Sequence, residues 1–409
     1  MHKTWIIEVG EGLAAVKYAI VFVEGLADFP VEDLDNQTPL ERAVTPAMDG
    51  LVADGVVGSV DLFRRVPQAG LEAALYSLLG GNFDQAIPGL GAFEAFAAGL
   101  PGGVERSRVA AARLVTQFNG RISDLDGGCL RDKEGELLLM ALNEKLGGPG
   151  FELVHLCSNQ ALLLLGEESG ALPQCTPPEL CIGEPIVNHL PCGPGGDRLA
   201  ALVLASMEIL DADAVNRVRC DLKENPANLL WVWGVGDVPL GTHLLGTRNQ
   251  KGAMVTQDLW ASGMAMAFGL DPVGQKRGVV GDLEEVGQEA AAAVGTFDFV
   301  IAHCRGPARA GLRFNSREKV GFIEEVDRLV VAPVRDRLEG EESRLAVISA
   351  FINSSVEGTI LTGYNPFVLW GKGAEGGLPG RAFTEAESRN SRLEVSCGSQ
   401  FREYFFSPR

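Results

Sequence analysis

Positive charge is scarce in this sequence: 35 Lys and Arg stand against 54 Asp and Glu in 409 residues, a formal net charge of -19. A surface of that sign repels phosphate backbones and anionic lipid heads, so neither nucleic acid nor a membrane surface is an expected partner. Long apolar runs are missing as well, none reaching the about 18 residues that a membrane helix needs. The opening Met1 to Gly10 carries Glu8 and has no apolar core or cleavage pattern of a secretory leader, so the chain is expected in the cytoplasm. Cysteine is sparse: 8 residues, with no C-x-x-C pair, cannot build a disulfide scaffold in a chain this long. Cys157 and Cys304 lie in apolar runs, where free thiols pack as small hydrophobes. Cys175, Cys181, His189 and Cys192 share one Pro/Gly-rich stretch and are an alternative zinc set, set against the plainer reading of unrelated loop residues.

What is present describes a globular chain, with 46% hydrophobic and 22% charged residues and enough length for more than one domain. Tyr18–Glu24 (YAIVFVE), Phe297–His303 (FDFVIAH) and Arg344–Ala350 (RLAVISA) read as buried strands, each ending at polar or small residues. Helical spacing marks Pro39–Ala53, Gly70–Leu79, Leu199–Leu210, Leu283–Val294 and Arg317–Arg337. Strands alternating with helices predict an α/β fold, a mostly parallel sheet with helices on both faces. From about Leu100 the texture changes to Gly, Pro, Cys and short strand-like runs around a helix near Glu134–Leu146. Residues 101–195 are therefore expected to form a smaller inserted α+β domain, and residues 1–100 and 196–409 the core, which resumes with a helix at Leu199 and a strand at Leu229–Trp233.

Between Val23 and Gly50 the chain reads VEGLADFPVEDLDNQTPLERAVTPAMDG. Thr38, Pro39, Leu40, Glu41, Ala43, Thr45, Pro46, Met48 and Asp49 match the opening of the archaeal-type cofactor-independent (2,3-bisphosphoglycerate-independent) phosphoglycerate mutases, which this chain resembles. PGLGAFEAFAAG at 88–99, NPANLLWVWGVG at 225–236, QKGAMVTQDL at 250–259, FDFVIAHCRGPARAG at 297–311 and NPFVLWGKG at 365–373 follow in the family's order. The resemblance implies an alkaline-phosphatase-like three-layer core and an inserted domain that grips the substrate. It also implies two divalent metal ions (Mn, Mg, Zn or Co) that activate a serine nucleophile for conversion of 3-phosphoglycerate to 2-phosphoglycerate.

The family's functional positions are filled differently here. Glu24 stands at the first metal-binding aspartate, Leu71 at the nucleophilic serine and Glu72 at the next acid. Ala308 and Leu312 stand at the Asp and His ligands of the third block, Phe351 and Ile352 at the Asp-His pair of the fourth, and Ile360 at the last histidine. A leucine cannot attack phosphorus, and hydrocarbon side chains cannot ligate a hard cation. The cleft is expected to be filled, needing no cofactor, with Glu24 and Asp28 as solvated carboxylates at a strand end and His303 a satisfied core or edge histidine. The leading expectation is a noncatalytic binding or assembly subunit, paired with an active relative or another metabolic enzyme, with a homo-oligomer as the base expectation. One alternative is an enzyme of altered chemistry on a phosphorylated or hydroxylated small molecule, in which at least two of Glu24, Asp28, Asp49 and Glu72 converge. The other is a working phosphoglycerate mutase.

Overall fold

The computed structural model describes residues 16–63, 72–81, 87, 89–99, 108–148, 150–166, 171–237, 251–274, 282–374 and 376–407. In chain order the first strands are β1 (Lys17–Val23), β2 (Val56–Val60), β3 (Arg108–Phe118), β4 (Arg121–Asp124) and β5 (Glu152–Cys157). Then come β6 (Gln160–Leu164), β7 (Leu229–Asp237), β8 (Gly252–Val255), β9 (Asp271–Val273) and β10 (Phe299–Cys304). The last are β11 (Ser343–Ser349), β12 (Ile352–Ser354), β13 (Thr359–Leu361), β14 (Asn365–Gly371) and β15 (Glu394–Val395).

The core sheet has the order β15-β2-β14-β11-β1-β10-β8-β9, and β14 alone runs against its neighbours. β1 is central, in parallel register with β10 (Val23 opposite Cys304) and with β11 (Val23 opposite Ser349). Its apolar run is continuous because both faces are covered. Ile20 and Phe22 join one hydrophobic layer with Ile301 and Ile348, while Ala19, Val21 and Val23 join the other with Val300 and Val347. The second layer is closed by the helices Pro46–Asp54, Leu283–Thr296 and one long run from Ser316 to Leu338. The sequence suggested one helix over 39–53. It breaks into Pro39–Arg42 and Pro46–Asp54 because Thr45, preceding a proline, is held out of helical backbone at φ -124 and ψ 62.

The second sheet is antiparallel, with the order β4-β3-β6-β5 and β7 on the other side of β3. This corrects one expectation. The strand at Leu229–Trp233 does not return the chain to the core sheet; it pairs with β3, Val115 opposite Leu229 and Ala111 opposite Trp233. The second sheet therefore draws on residues either side of the expected boundary at 195. An unbroken apolar run such as LLWVW suits a strand buried in either sheet, so its sequence does not discriminate between them.

The helix Leu90–Ala98 joins the two sheets, packing on β3 and β7 and, across its other side, on the helix Leu259–Ala267. A Cβ on Gly263 would stand 1.8 Å from the carbonyl oxygen of Phe93, so the two helices touch backbone to backbone. Gly263→Val is expected to cost at least about 2 kcal/mol in urea unfolding, through forced separation of these helices. Gly321→Ala, at a helical position with nothing within 4 Å of the added carbon, is expected to be neutral or to stabilise by up to about 1 kcal/mol.

Candidate functional site

Parallel strands deliver their last side chains to one edge of the sheet, and three neighbouring strands here deliver charged or polar groups while a fourth delivers a phenyl ring. Glu24 follows β1, His303 lies near the end of β10 and Arg305 just past it, Thr256 and Asp258 follow β8, and Phe351 follows β11. Gly25 has φ +70, and a Cβ there would lie 2.7 Å from the Cα of Ala308, so the Glu24 turn is pressed against the start of the helix Gly306–Leu312.

Glu24 is fully buried and uses both oxygens: Oε1 lies 2.9 Å from His303 Nε2 and Oε2 accepts from Arg305 Nε at 3.0 Å. Arg305 Nη1 donates to Asp258 Oδ1 at 2.6 Å, which makes the guanidinium a bridge between two carboxylates. His303 Nδ1 lies 2.9 Å from the Thr256 hydroxyl, which itself accepts the Asp258 backbone N–H at 3.2 Å. The ring is thus held at both nitrogens, by Thr256 and by Glu24. Burial works against the charge on Asp258, yet the neighbouring Arg305 and His303 outweigh it and hold its carboxyl below the usual range. Burial likewise works against the charge on Arg305, and Asp258 and Glu24 overcome it, raising the guanidinium further above its ordinary value.

Around this network the expected ligand positions are apolar. Ala308, Leu312 and Phe351 are buried, Phe351 standing edge-on to Phe63 with ring centroids 6.2 Å apart. Ile352 and Ile360 lie on the hairpin of β12 and β13, where Ile352 pairs with Leu361 and Ile360 with Asn353. Leu71 lies outside the described residues, and Glu72 opens the helix Glu72–Leu79. Ser77 on that helix is buried, its hydroxyl accepting from Gly398 N at 3.2 Å.

Glu24 and Asp28 are not the solvated strand-end carboxylates the sequence suggested. Asp28 is buried and paired with Lys319 Nζ at 2.7 Å, and also accepts from the backbone of Phe29 and Ser355. Asp49 accepts from Phe383 N at 2.8 Å, a structural anchor. Of the four candidate acids, Glu24 and Glu72 lie within each other's electrostatic reach. The soft donors do not form one group: Cys181 is buried against the carbonyls of Pro177 and Pro178, while Cys192 is exposed beside Gln174. Burial pushes the thiols of Cys175 and Cys181 up to about 12, with Cys192 and Glu179 respectively adding to it. Among the described residues, no three His, Cys, Asp or Glu side chains are grouped to hold a metal ion.

Sequence reasoning missed Asp258 and Arg305, although both lie in the quoted blocks, at the ends of strand-like runs where the sheet edge gathers function. It also missed the acids and base facing the network from the second sheet's side. Glu94, on the helix Leu90–Ala98, is 3% exposed, and burial pushes its carboxyl up to about 7 against the pull of Arg113. Asp258, Arg305 and Glu179 also act on it, and Arg113 pairs with Glu179 at 3.4 Å. Glu72 is pushed up to about 7 as well, mainly by burial, with Glu179 and Glu24 adding to it.

The sequence profile described as 2,3-bisphosphoglycerate-independent phosphoglycerate mutase matches residues 53–216. The mutase of that name from Methanosarcina mazei is 32% identical over 341 residues, covering 81% of this chain and 84% of the relative. The chain belongs to the 2,3-bisphosphoglycerate-independent phosphoglycerate mutase family. A second relative, mutase 2 of Methanothermobacter thermautotrophicus, is 30% identical over 82% of this chain and 84% of its own. Among solved structures, the PH0037 protein from Pyrococcus horikoshii superposes with TM-score 0.73 at 21% identity, covering 96% of this chain and 97% of that one. The cofactor-independent phosphoglycerate mutase from Thermoplasma acidophilum gives 0.54 at 23% identity, covering 96% and 99%. Both show the same mixed α/β fold.

The residues at this sheet edge do not fit the pair of divalent ions the family implies. Glu24 and Asp258 already share a guanidinium, so a dication there would meet Arg305, and Ala308, Leu312, Phe351, Ile352 and Ile360 offer no side-chain donor.

Breaking the bridge by Arg305→Met is expected to cost about 3–5 kcal/mol, because Glu24 then keeps a buried charge with one partner fewer. Urea unfolding at pH 7 checks it. Glu94 gives a pH signature. Its carboxyl stays protonated in the fold up to about 7, whereas the unfolded chain ionises near 4.5. The folded state therefore binds more protons across that window, and stability falls as pH rises through it, by roughly 3 kcal/mol in all. Glu94→Gln is expected to flatten that slope in urea titrations at pH 5, 6, 7 and 8.

Proposed function

We propose that this chain is a noncatalytic member of the mutase family, in which a protein-only charge network stands where the family holds its metal ions, and that it works as a binding or assembly subunit. The observation that carries this reading is Arg305, fixed between Glu24 and Asp258. An internal guanidinium supplies the positive charge these carboxylates need, but it offers no open coordination position to polarise a phosphate or activate a hydroxyl. The apolar side chains at five further ligand positions support the same reading. Its partner class is an active relative or another metabolic enzyme.

The test is direct. Protein purified without chelators is analysed for Mn, Zn, Mg, Co and Fe by mass spectrometry, and assayed for 3-phosphoglycerate to 2-phosphoglycerate conversion with each metal supplied. Less than roughly a tenth of an equivalent of metal and no turnover is the expected result. One or two equivalents, with turnover, would instead favour a working mutase, the reading that the names of the relatives support.

One observation favours a second reading, altered chemistry in the same cleft. Glu94 is buried, and its carboxyl is pushed up to about 7 beside Arg113 and Arg305, the range a general acid or base requires. Hydrolytic or isomerase turnover of a phosphorylated or hydroxylated compound by the wild type, abolished in Glu94→Gln, would establish it.

A further inference from the structure

The signature segment from Thr38 to Asp49 is the strongest family mark in the sequence, yet the strand-edge network uses none of it. It lies instead along a groove of ≈ 630 Å³ on the opposite, helix-covered face of the core sheet. Val44, Pro46 and Ala47 form one wall, and Glu324, Asp327, Arg328, Ala332, Arg335 and Asp336 of the long helix form the other. We propose that this groove binds a small oxyanion, a metabolite bearing phosphate or carboxylate, held by the guanidinium groups of Arg328 and Arg335.

Two of the groove's acids are already committed: Glu324 Oε1 accepts from Val44 N at 3.0 Å, and Asp327 accepts from Ala47 N at 3.0 Å and Met48 N at 2.7 Å. Asp327 thereby satisfies the amino end of the helix Pro46–Asp54, where Thr45 makes no side-chain cap. The exposed Asp336 also lines the groove. The arginines are unmatched. Arg131, Arg219, Arg305 and Arg337 each meet a carboxylate within 2.8 Å, but among the described residues neither Arg328 nor Arg335 has a carboxylate within ion-pair distance. Arg335 lies over the Trp370 ring, 5.9 Å from its centroid, and its buried Nε has no hydrogen-bond partner among the described residues.

A buried N–H without an acceptor is costly, and beside the groove's three carboxylates stand two guanidinium groups with no ion pair among the described residues. Two planar forks about two helical turns apart suit the several oxygens of a phosphate or a polycarboxylate. The helix is also widened to π geometry over Val326–Val331, the turn that carries both Asp327 and Arg328, and such turns recur at functional sites. None of the groove's residues belongs to the strand-edge network, so the proposal stands apart from the question of catalysis.

The test is titration calorimetry on the full-length protein at low ionic strength, with inorganic phosphate, 3-phosphoglycerate and citrate as probes, and Trp370 fluorescence followed in parallel. Saturable binding of at least one probe is expected, the preferred probe telling a phosphate ligand from a carboxylate one. Arg328→Gln is expected to weaken binding about tenfold, or about 1.4 kcal/mol. Arg335→Gln is expected to weaken it likewise and to change the Trp370 signal. Arg328 is exposed and unpaired among the described residues, so its variant keeps the test meaningful if Arg335→Gln fails to fold. No saturable binding of any probe, or an Arg328→Gln protein that binds as tightly as the wild type, overturns the proposal.

Discussion

Charge neutrality at the carboxyl edge of the sheet constrains everything built around it. The parallel register of β8, β10 and β1 forces Asp258, Arg305 and Glu24 into one small volume, whatever chemistry occupies it. Carboxylates placed so repel one another and lose their hydration, so they need a proton or a cation among them. Here the cation is covalently part of the chain. The guanidinium is planar and presents separate N–H groups to separate carboxylates, which suits a fixed bridge better than it suits exchange with solvent or substrate.

The surroundings are largely apolar. A site for hard cations needs oxygen donors and water, whereas a guanidinium bridge permits hydrocarbon beside it. Phe351 and Ala308 are part of the hydrophobic layer that continues through the helices into the second sheet, and Ile360 packs against it. The same logic explains Asp28, whose buried charge is matched by Lys319 reaching from the long helix and also satisfying backbone carbonyls of Ala27 and Asn353. Internal bases thus serve two of the carboxylates that follow β1.

How much of this was legible in the sequence depended on distance along the chain. β1, β10 and β11 were readable because a strand buried on both faces is apolar at every step, and the family followed from a contiguous signature at residues 38–49. The helix break before Pro46 was written in the Thr45–Pro46 pair. The states of Glu24 and Asp28 were not readable: their partners lie 279, 281 and 291 residues away, and a carboxylate at a strand end looks the same whether water or an arginine meets it. Glu94 was hidden for a related reason, since its acidity is set first by burial and then by Arg113, Asp258, Arg305 and Glu179, most of them far away in sequence. β7 was misplaced because burial, which its sequence does encode, does not say in which sheet.

That misplaced strand changes how the second sheet is attached to the molecule. The chain enters it at Arg108 and leaves it at Asp237, and those two residues are opposite partners on adjacent antiparallel strands, with Arg108 Nε 3.4 Å from the Asp237 carboxylate. The described ends of this segment therefore stand side by side, about one strand spacing of 4.8 Å apart. A segment whose two ends stand side by side can be lengthened within its own loops without shifting the register of the core sheet.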